Sequence, residues 1–287
     1  MTAMKLRVAT CLRLPEVDVD AEPLAAALAR AGIAATWLAW DDPRADWDAP
    51  IPTVIRSTWN YALQLDGFLA WITRAAASAP IVNPPDIVRA NVDKRYLLAL
   101  AAHGVPVVPT TLVASAEEVS APRERVVVKP AIGAGSLDAR VFEPGDASIT
   151  AHIAHITRRC AALVQPYVAS VDHYGERSLI WIDGEFTHAI RKTPRFSGDV
   201  ERITGPFPIA DDERAVGQAA LAPYASRILY GRVDLARDTK DRPMVMELEL
   251  VEPSLFFARH APALDRYVAA LTRVLETRDS VPSRSRP

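Results

Sequence analysis

Two apolar segments in the last quarter of the chain carry three carboxylates at a fixed spacing, and they constrain the fold more than any other feature. Residues 231–253 read GRVDLARDTKDRPMVMELELVEP, so Asp234 ends one apolar run while Glu247 and Glu249 interrupt the next. Side chains two residues apart on a β-strand point to the same face of the sheet. We therefore predict two neighbouring strands, with Glu247 and Glu249 on one face and Asp234 nearby.

Carboxylates held this close repel one another unless positive charge lies between them. Mg²⁺ takes oxygen ligands and is usually held by one or two carboxylates together with substrate phosphates. Asp234, Glu247 and Glu249 are therefore candidate ligands of a magnesium ion that is bound with phosphate. An exposed edge strand with solvated acids would carry the same residues, and these residues alone leave both interpretations open.

A lysine and two glycines follow a second apolar run, in RVVVKPAIGAGS at 125–136. The β-branched residues predict a buried strand over 126–128, which places Lys129 at the strand end beside a flexible loop. Gly133 and Gly135 allow backbone N–H groups to approach an anion, and a lysine supplies the opposing charge. The segment fits a phosphate-covering loop, although an ordinary strand and turn has the same composition.

Other nucleotide-binding signatures are not matched. The Walker pattern places its lysine after the last glycine, whereas Lys129 precedes both glycines here. The dinucleotide pattern G-x-G-x-x-G is half matched, because position 138 is Asp and no glycine turn follows the first predicted strand. A protein kinase would need an H-R-D loop, which this sequence does not contain.

Four motifs, taken in order, resemble the ATP-grasp superfamily of ATP-dependent carboxylate–amine ligases. The motifs are NPPDIVRANVDKRYLLALAAHGVPVVPT at 83–110, VVVKPAIGAGS at 126–136, LVQPYV at 163–168, and GRVD with MELELVEPS within 231–254. The resemblance covers roughly residues 83–257. It implies an α/β protein of the ATP-grasp fold, in which two lobes enclose ATP beside a small N-terminal parallel-sheet domain.

The resemblance assigns many of these residues to the nucleotide. Lys94 and Lys129 would contact the phosphates, and the loop from Gly133 to Ser136 would close over them. The backbone of residues 165–168 would bind the adenine edge, and Asp172 would bind the ribose hydroxyls. The full set of implied nucleotide contacts is Lys94, Lys129, Gly133, Gly135, Ser136, Gln165, Tyr167, Val168, Asp172 and Leu248.

The acids and their basic neighbours receive roles of their own from the resemblance. Asp234, Glu247 and Glu249 would hold Mg²⁺, or Mn²⁺ in its place. The family usually has Asn at the position of Glu249, so the role of that residue as a ligand is open. The implied catalytic residues, which would contact the transferred phosphate, are Arg191, Lys192 and Arg232.

Candidate substrate residues lie at the end of an N-terminal strand and in the C-terminal half. Arg56 and Ser57 end the apolar run TVIRSTW at 53–59, and strand ends of parallel sheets line ligand crevices. Arg56 would hold a carboxylate in a two-pronged contact, while a surface arginine at a sheet edge is the alternative. By analogy with ATP-grasp ligases, this end of the N-terminal domain would face the acceptor substrate. Glu176 precedes an apolar run that returns toward the site, so its carboxylate would hold a substrate amine, and Ser254, just beyond the acids, would lie within reach of the substrate.

These assignments imply phosphoryl activation followed by amide formation. A substrate carboxylate would attack the γ-phosphorus of ATP to give an acyl phosphate, and an amine would then displace phosphate. The segments RSTWNY, GERSLIWIDGEFTHAIRK and ELELVEPSLFF are most similar to the subgroup that closes O-ureido-D-serine to D-cycloserine. A peptide ligase that joins amino acids or extends a peptide, and an ATP-binding protein without catalysis, are the alternatives.

Composition limits the partners and the location. The chain has 287 residues, of which 49% are hydrophobic and 24% charged, and its net charge of −2 argues against nucleic acid as a partner. No apolar stretch approaches the roughly 18 residues of a membrane span, and two cysteines are too few for a disulfide framework. We expect a cytoplasmic enzyme that acts on a small amino-acid-like molecule. The apolar run at 254–264 could pack in the core or against a second subunit, and we expect a homodimer.

The alternation of strand and helix patterns along the sequence predicts how the chain divides into domains. Strand and helix patterns alternate in the N-terminal part, which predicts a parallel sheet with covering helices. The turn-rich NPPD at 83–86 marks its end. The predicted units are an N-terminal domain (1–85), a small lobe with the lysines and the glycine loop (86–166), a large lobe with the acids (167–276), and a disordered tail (277–287).

Overall fold

Three β-sheets and eight α-helices form the described part of the protein, which is residues 4–193 and 202–279 of a computed structural model. The strands are β1 Met4–Thr10, β2 Ile33–Ala39, β3 Thr53–Ser57, β4 Ile81–Val82, β5 Thr111–Val113, β6 Val126–Pro130, β7 Arg140–Phe142, β8 Ala162–Pro166, β9 Glu176–Ile182, β10 Glu185–Lys192, β11 Ile203–Phe207, β12 Tyr230–Arg237 and β13 Pro243–Glu249. The helices are α1 Ala21–Arg30, α2 Leu65–Ser78, α3 Pro85–Asn91, α4 Tyr96–Ala102, α5 Ser148–Ile156, α6 Ser170–His173, α7 Asp211–Leu221 and α8 Ala261–Asp279.

The N-terminal sheet has the strand order β2-β1-β3-β4, and its strands are parallel. Helix α1 connects the first two strands and buries Leu24, Ala27 and Leu28, which recur at helical spacing. The predicted N-terminal parallel sheet is therefore confirmed.

The small sheet has the order β5-β8-β6-β7 and is antiparallel. Helix α5 packs on it through Ile149, Ile153 and Ile156, which belong to one apolar cluster with Val128 and Phe142. Lys129 follows Val128 directly, so the packing of this strand fixes where the lysine leaves the sheet.

The large sheet has the order β11-β10-β9-β12-β13 and is antiparallel. On β12 and β13, Asp234 lies opposite Glu247 and Arg232 lies opposite Glu249. The two acid-bearing segments are therefore adjacent strands, and the predicted alternation along the second one is confirmed.

One apolar cluster joins the N-terminal sheet to the large sheet. It contains Leu6 and Val8 of β1, Ile180 of β9, and Tyr267 and Leu271 of α8. The apolar run at 254–264 contributes its buried residues to the same cluster, so these residues pack in the core, and the homodimer stays a prediction. Its buried members are Leu255, Phe256, Phe257, Ala263 and Leu264.

The C-terminal end differs from the sequence prediction. Helix α8 continues to Asp279, so its last residues occupy the start of the predicted disordered tail at 277–287. The rest of that tail, from 280 onward, lies outside the described residues. Within the two described ranges, no helix combines the length and apolar character needed to cross a membrane. Cys11 and Cys160 are both free thiols.

Candidate functional site

A cavity of about 860 Å³ is bordered by loops of the N-terminal domain, the small sheet and the large sheet. Most of the residues that the sequence singled out line its wall. They are Lys94, Lys129, Gly133, Gly135, Ser136, Gln165, Tyr167, Val168, Glu176, Lys192, Arg232, Asp234, Glu247, Leu248, Glu249 and Ser254.

Arg191 is not part of this wall, although its neighbour Lys192 is. Consecutive side chains on a strand point to opposite faces, so only one of the two can face the cavity. The Arg191 guanidinium donates a hydrogen bond to the carbonyl of His173, outside the cavity. The structure therefore leaves Lys192 alone as the basic residue of β10 at the site.

Arg56 and Ser57 also lie away from the cavity wall, in the interior of the protein. Arg56 is 2% exposed and forms an ion pair with Asp20 at 3.0 Å. The Ser57 hydroxyl lies 2.9 Å from that of Thr10. Neither residue is placed to contact a substrate carboxylate, because each side chain is already used to join elements of the N-terminal domain.

Asp172 is the fourth predicted residue outside the wall. Its side chain is half exposed and accepts a hydrogen bond from the Tyr167 hydroxyl. Burial and this carboxylate raise the pKa of Tyr167 to about 12. The structure gives Asp172 a contact with the hinge residue and does not place it on the wall beside the implied ribose position.

Asp234 is the centre of the charged end of the cavity. Arg232 donates two hydrogen bonds to its carboxylate, both of 2.9 Å, and Lys192 donates a third at 3.1 Å. Burial alone would favour the neutral acid, but these two cations outweigh it and hold the pKa of Asp234 far below its ordinary value. These two cations therefore favour the ionised form of the Asp234 carboxylate.

Glu249 and Glu176 lie on either side of this group, each in contact with one of the same cations. Glu249 pairs with Arg232, and Glu176 pairs with Lys192. Burial, reinforced by the charge of Asp234, raises the pKa of each of these two carboxyls to about 7. Glu176 lines the cavity but is already paired with Lys192, so its role in binding a substrate amine stays a prediction.

Glu247 is bound by a cation from another part of the chain. The Lys94 ammonium lies 2.9 Å from its carboxylate and also donates to the carbonyl of Gly133. Although burial opposes ionisation, Lys94 and Lys129 together hold the pKa of Glu247 below its ordinary value. Lys94 therefore joins the glycine loop to the strand that carries the acids.

The donor chemistry of Asp234, Glu247 and Glu249 suits Mg²⁺, which takes carboxylate oxygens. Among residues 4–193 and 202–279, however, no three acidic, histidine or cysteine side chains are arranged as a ready metal site. Each of the three carboxylates is instead neutralised by a lysine or an arginine. The residues fit a magnesium ion if these cations turn toward the phosphates that accompany it.

Lys129 differs from the other cations of the cavity. No described carboxylate lies within 4 Å of its ammonium group, whereas Lys94, Lys192 and Arg232 are all paired. Burial lowers the pKa of Lys129. A half-buried lysine without a described carboxylate partner favours binding of an anion, and the glycine loop beside it is where a phosphate would lie.

At the hinge, residues 165–168, the group available to a ligand belongs to the backbone and not to a side chain. The Gln165 amide donates to the Thr110 hydroxyl at 2.8 Å, so its side chain is already used. The Tyr167 N–H donates to the carbonyl of Arg125 at 2.8 Å. In the described part of the chain nothing accepts from the Val168 N–H, which leaves it available to the edge of a heterocyclic base.

Sequence reasoning missed several residues of the wall. Asn91 donates to the carbonyl of Leu248 and accepts from the N–H of Leu250, which fixes the free edge of β13. Its position three residues before Lys94 in the motif NPPDIVRANVDK was the available signal. The other missed residues include Trp59, Tyr61, Tyr96, Met246, Glu252 and Phe256.

Comparison with known proteins gives consistent similarities. The family described as "D-cycloserine synthetase DcsG, N-terminal domain" matches residues 6–83. The cycloserine biosynthesis protein DcsG of Streptomyces lavendulae is 36% identical over 293 residues, which cover 94% of this chain and 98% of that protein. The crystal structure of D-cycloserine synthetase DcsG superposes with a TM-score of 0.85 at 34% identity, covering 94% of this chain and 99% of that one.

A more distant structure has a similar fold. The D-alanine–D-alanine ligase of Bacillus anthracis superposes with a TM-score of 0.66 at 14% identity, covering 96% of this chain and 100% of that one. At this identity the similarity concerns the fold alone.

Proposed function

This chain belongs to the D-cycloserine synthetase family of ATP-grasp ligases, and from that membership we propose that it uses ATP to close O-ureido-D-serine into D-cycloserine. The new C–N bond forms between the carboxylate carbon and a nitrogen of the same molecule. A small amino acid therefore supplies both the acid and the nucleophile.

The distribution of charge along the cavity is the observation that carries this proposal. Lys129, which has no carboxylate partner among the described residues, lies beside the glycine loop and suits the phosphates of ATP. The free Val168 N–H suits the adenine edge. Arg232 lies among the acids of the same cavity, where a reacting carboxylate and the transferred phosphate would meet.

Two displacements form the new ring in the proposed reaction. An oxygen of the substrate carboxylate attacks the γ-phosphorus of ATP, the bond to the bridging oxygen breaks, and ADP leaves. The nitrogen bonded to oxygen then attacks the acyl phosphate carbon, phosphate leaves, and the nitrogen loses its proton. Hydrolysis of the carbamoyl group to carbonate and ammonia is also required, because the cycloserine ring does not contain it.

The side chains act by position and charge in such transfers. Lys129 holds a phosphate, Arg232 neutralises the group that is being transferred, and Lys192 holds Asp234 and Glu176 in place. Magnesium, when bound, would neutralise the phosphate charge, with Asp234 and Glu247 as its oxygen ligands and Glu249 as a third candidate. The residues of the chain bind and orient, and none forms a covalent intermediate.

The test is ADP release by the purified protein with Mg-ATP and a panel of compounds. The panel contains O-ureido-D-serine, D-serine, L-serine, D-alanine and dipeptides, each alone and in pairs, and mass spectrometry identifies the product. We expect release with O-ureido-D-serine alone and formation of cycloserine.

Two results would replace this proposal. Release that requires two compounds would identify a peptide ligase, which is the nearest alternative reaction of the same fold. Absence of release with every compound, in a protein that binds Mg-ATP, would exclude the cyclisation while leaving the nucleotide site intact. Failure to bind Mg-ATP would contradict the roles given to Lys129 and Val168 as well.

A further inference from the structure

Glu252 is the acid of the cavity that the proposed reaction leaves without a role. It follows β13 by three residues, lines the cavity, and is 8% exposed. Its main-chain carbonyl accepts a 3.1 Å hydrogen bond from the indole of Trp59, so the backbone at this point is tied to the N-terminal domain. This hydrogen bond therefore fixes the backbone position from which the Glu252 side chain extends.

Among the described residues, no hydrogen-bond donor and no cationic side chain contacts the carboxylate of Glu252. The acids nearest to it in the chain are all paired, since Glu247 is bound to Lys94, and Glu249 to Arg232. Asp41, at the other side of the wall, accepts from the N–H of Leu12 and from the Asn60 amide. Burial, with the charge of Glu249 beside it, raises the pKa of Glu252 to about 8.

A buried carboxyl without a partner destabilises the folded protein unless a ligand uses it. The charged side chains around Glu252 indicate what kind of ligand would bind it. The charges of Glu249 and Glu247 oppose ionisation of Glu252, whereas those of Lys94 and Arg232 favour it. Both cations are already paired with Glu247 and Glu249, so neither contacts Glu252. A cationic ligand against Glu252 would stabilise its ionised form, and an anionic ligand would be repelled by it.

The position of Glu252 relative to Arg232 fits an α-amino acid. The carbonyl of Ser254, two residues after Glu252, accepts from the Arg232 guanidinium at 3.3 Å. The charge of Arg232 also acts on the Glu252 carboxyl, and both side chains line the cavity, so this acid and the arginine belong to one region of its wall. The ammonium and carboxylate of an α-amino acid are attached to the same carbon, so two recognition groups of opposite charge that lie side by side match them.

We propose that the Glu252 carboxylate binds the α-ammonium group of the amino-acid substrate while the substrate carboxylate lies against Arg232. This assignment rests on the proposed function, since it names the recognition element of that same substrate. It replaces Glu176, which is held by Lys192. Trp59, whose indole donates to the Glu252 carbonyl, and Tyr61 also line the cavity.

A pair of substrates that differ only in the ammonium group tests the proposal. O-ureido-D-serine has this group, and 3-(ureidooxy)propanoate is the same molecule without it. We expect the wild-type protein to prefer the amine by a factor of about 10² or more in kcat/KM for ADP release, because loss of one partner from a buried charge pair is costly. In Glu252→Gln the ratio of kcat/KM for the amine to kcat/KM for the deamino compound should fall to nearly one. The KM for ATP should stay within about twofold of wild type.

Two further variants separate recognition from folding. Glu252→Asp retains the charge on a shorter stem and should recover part of the preference, whereas a merely structural defect would lower turnover of both compounds equally. Glu124→Gln, an exposed glutamate outside the cavity, should keep the full wild-type preference. A Glu252→Gln protein that binds a nonhydrolysable ATP analogue and still prefers the amine by the wild-type factor would overturn the assignment.

The same variants distinguish failure of this assignment from failure of the proposed reaction. If the wild-type protein releases no ADP with O-ureido-D-serine, the cyclisation is excluded, and binding is then measured by tryptophan fluorescence with the ATP analogue present. D-serine and D-alanine are compared with 3-hydroxypropanoate and propanoate. A preference for the amines that disappears in Glu252→Gln supports the ammonium site, and equal binding of amine and deamino compounds by the wild-type protein overturns it.

Discussion

Asp20 and Arg56 form an ion pair that is buried on all sides and joins the N-terminal domain to the segment after β13. Their contact is 3.0 Å long, and the side chains are 0% and 2% exposed. The Asp20 carboxylate also accepts the N–H groups of Leu255 at 2.6 Å and Phe257 at 2.7 Å. Phe256 between them adopts a left-handed conformation with φ of 54°, which these two hydrogen bonds hold in place.

We expect Asp20→Asn to lower the free energy of unfolding by about 3–5 kcal/mol, because it leaves the Arg56 charge buried without a counter-ion. Urea unfolding at neutral pH measures the change. The matched control is Asp86→Asn, which breaks an exposed ion pair with Arg227 and should alter the midpoint much less. Equal effects of the two substitutions would contradict a stabilising role for the buried pair.

Lys129→Met tests the phosphate contact while preserving most of the volume of the side chain. We expect kcat/KM for ATP to fall by about 10²–10³, because a charge on the transferred group would lose its counter-ion. Steady-state ADP release measures this, and Lys240→Met, at an exposed turn position, is the control. Turnover at the wild-type rate would show that Lys129 does not contact the nucleotide.

Glu247 and Glu249 should differ in importance for magnesium. Glu247→Gln removes an ionised oxygen ligand, so we expect nucleotide binding without turnover and a requirement for much higher Mg²⁺ concentrations. Glu249→Asn introduces the residue that the ATP-grasp family usually has at this position, and we expect it to keep most of the activity. Titration of ADP release with Mg²⁺ compares the two variants. The metal assignment fails if Glu247→Gln turns over at the wild-type rate.

His188 gives the protein an acid-sensitive stability. Burial, with His260 in contact with its ring, lowers the pKa of His188 to about 4. An unfolded histidine has a pKa of about 6.5. Because the folded pKa is the lower of the two, the unfolded state binds the extra proton first as the pH falls. The contribution of this group is complete above pH 6.5 and is lost progressively between pH 6.5 and 4, by roughly 3 kcal/mol in total.

His188→Gln should therefore reduce the loss of stability between pH 7 and pH 4.5, as measured by urea unfolding at both values. His103→Gln, on the exposed end of α4, is the control and should follow the wild-type profile. An unchanged pH dependence in His188→Gln would show that other groups account for the acid sensitivity.

The sequence predicted the ATP-grasp fold, the ligase class and the similarity to D-cycloserine synthetases, and these predictions are confirmed. They succeeded because the evidence was local. The alternation in MELEL fixes which side chains share a face, and the run VVVK fixes where a lysine leaves a strand. The non-catalytic alternative is excluded by the same similarities.

The errors arose where a role depends on distant partners. Arg56 ends a strand in the manner of a substrate-binding arginine, but its burial is decided by Asp20, which lies 36 residues earlier. The sequence offered no signal for that pairing. For Arg191 and Lys192 a signal existed, since adjacent strand residues cannot face the same side. Glu252 lies beyond the end of β13, where strand alternation no longer predicts the direction of a side chain.

The shared apolar cluster of the N-terminal sheet and the large sheet has an evolutionary consequence. The small sheet has a cluster of its own, formed by residues such as Val128 and Phe142. The N-terminal sheet instead completes its interior with residues of β9 and α8. Recombination that replaced the first 85 residues with those of a distant relative would therefore disrupt the interior that this sheet shares with β9, β10 and α8. In this lineage, new substrate preferences are expected to arise by point substitutions in the cavity wall rather than by exchange of the N-terminal domain.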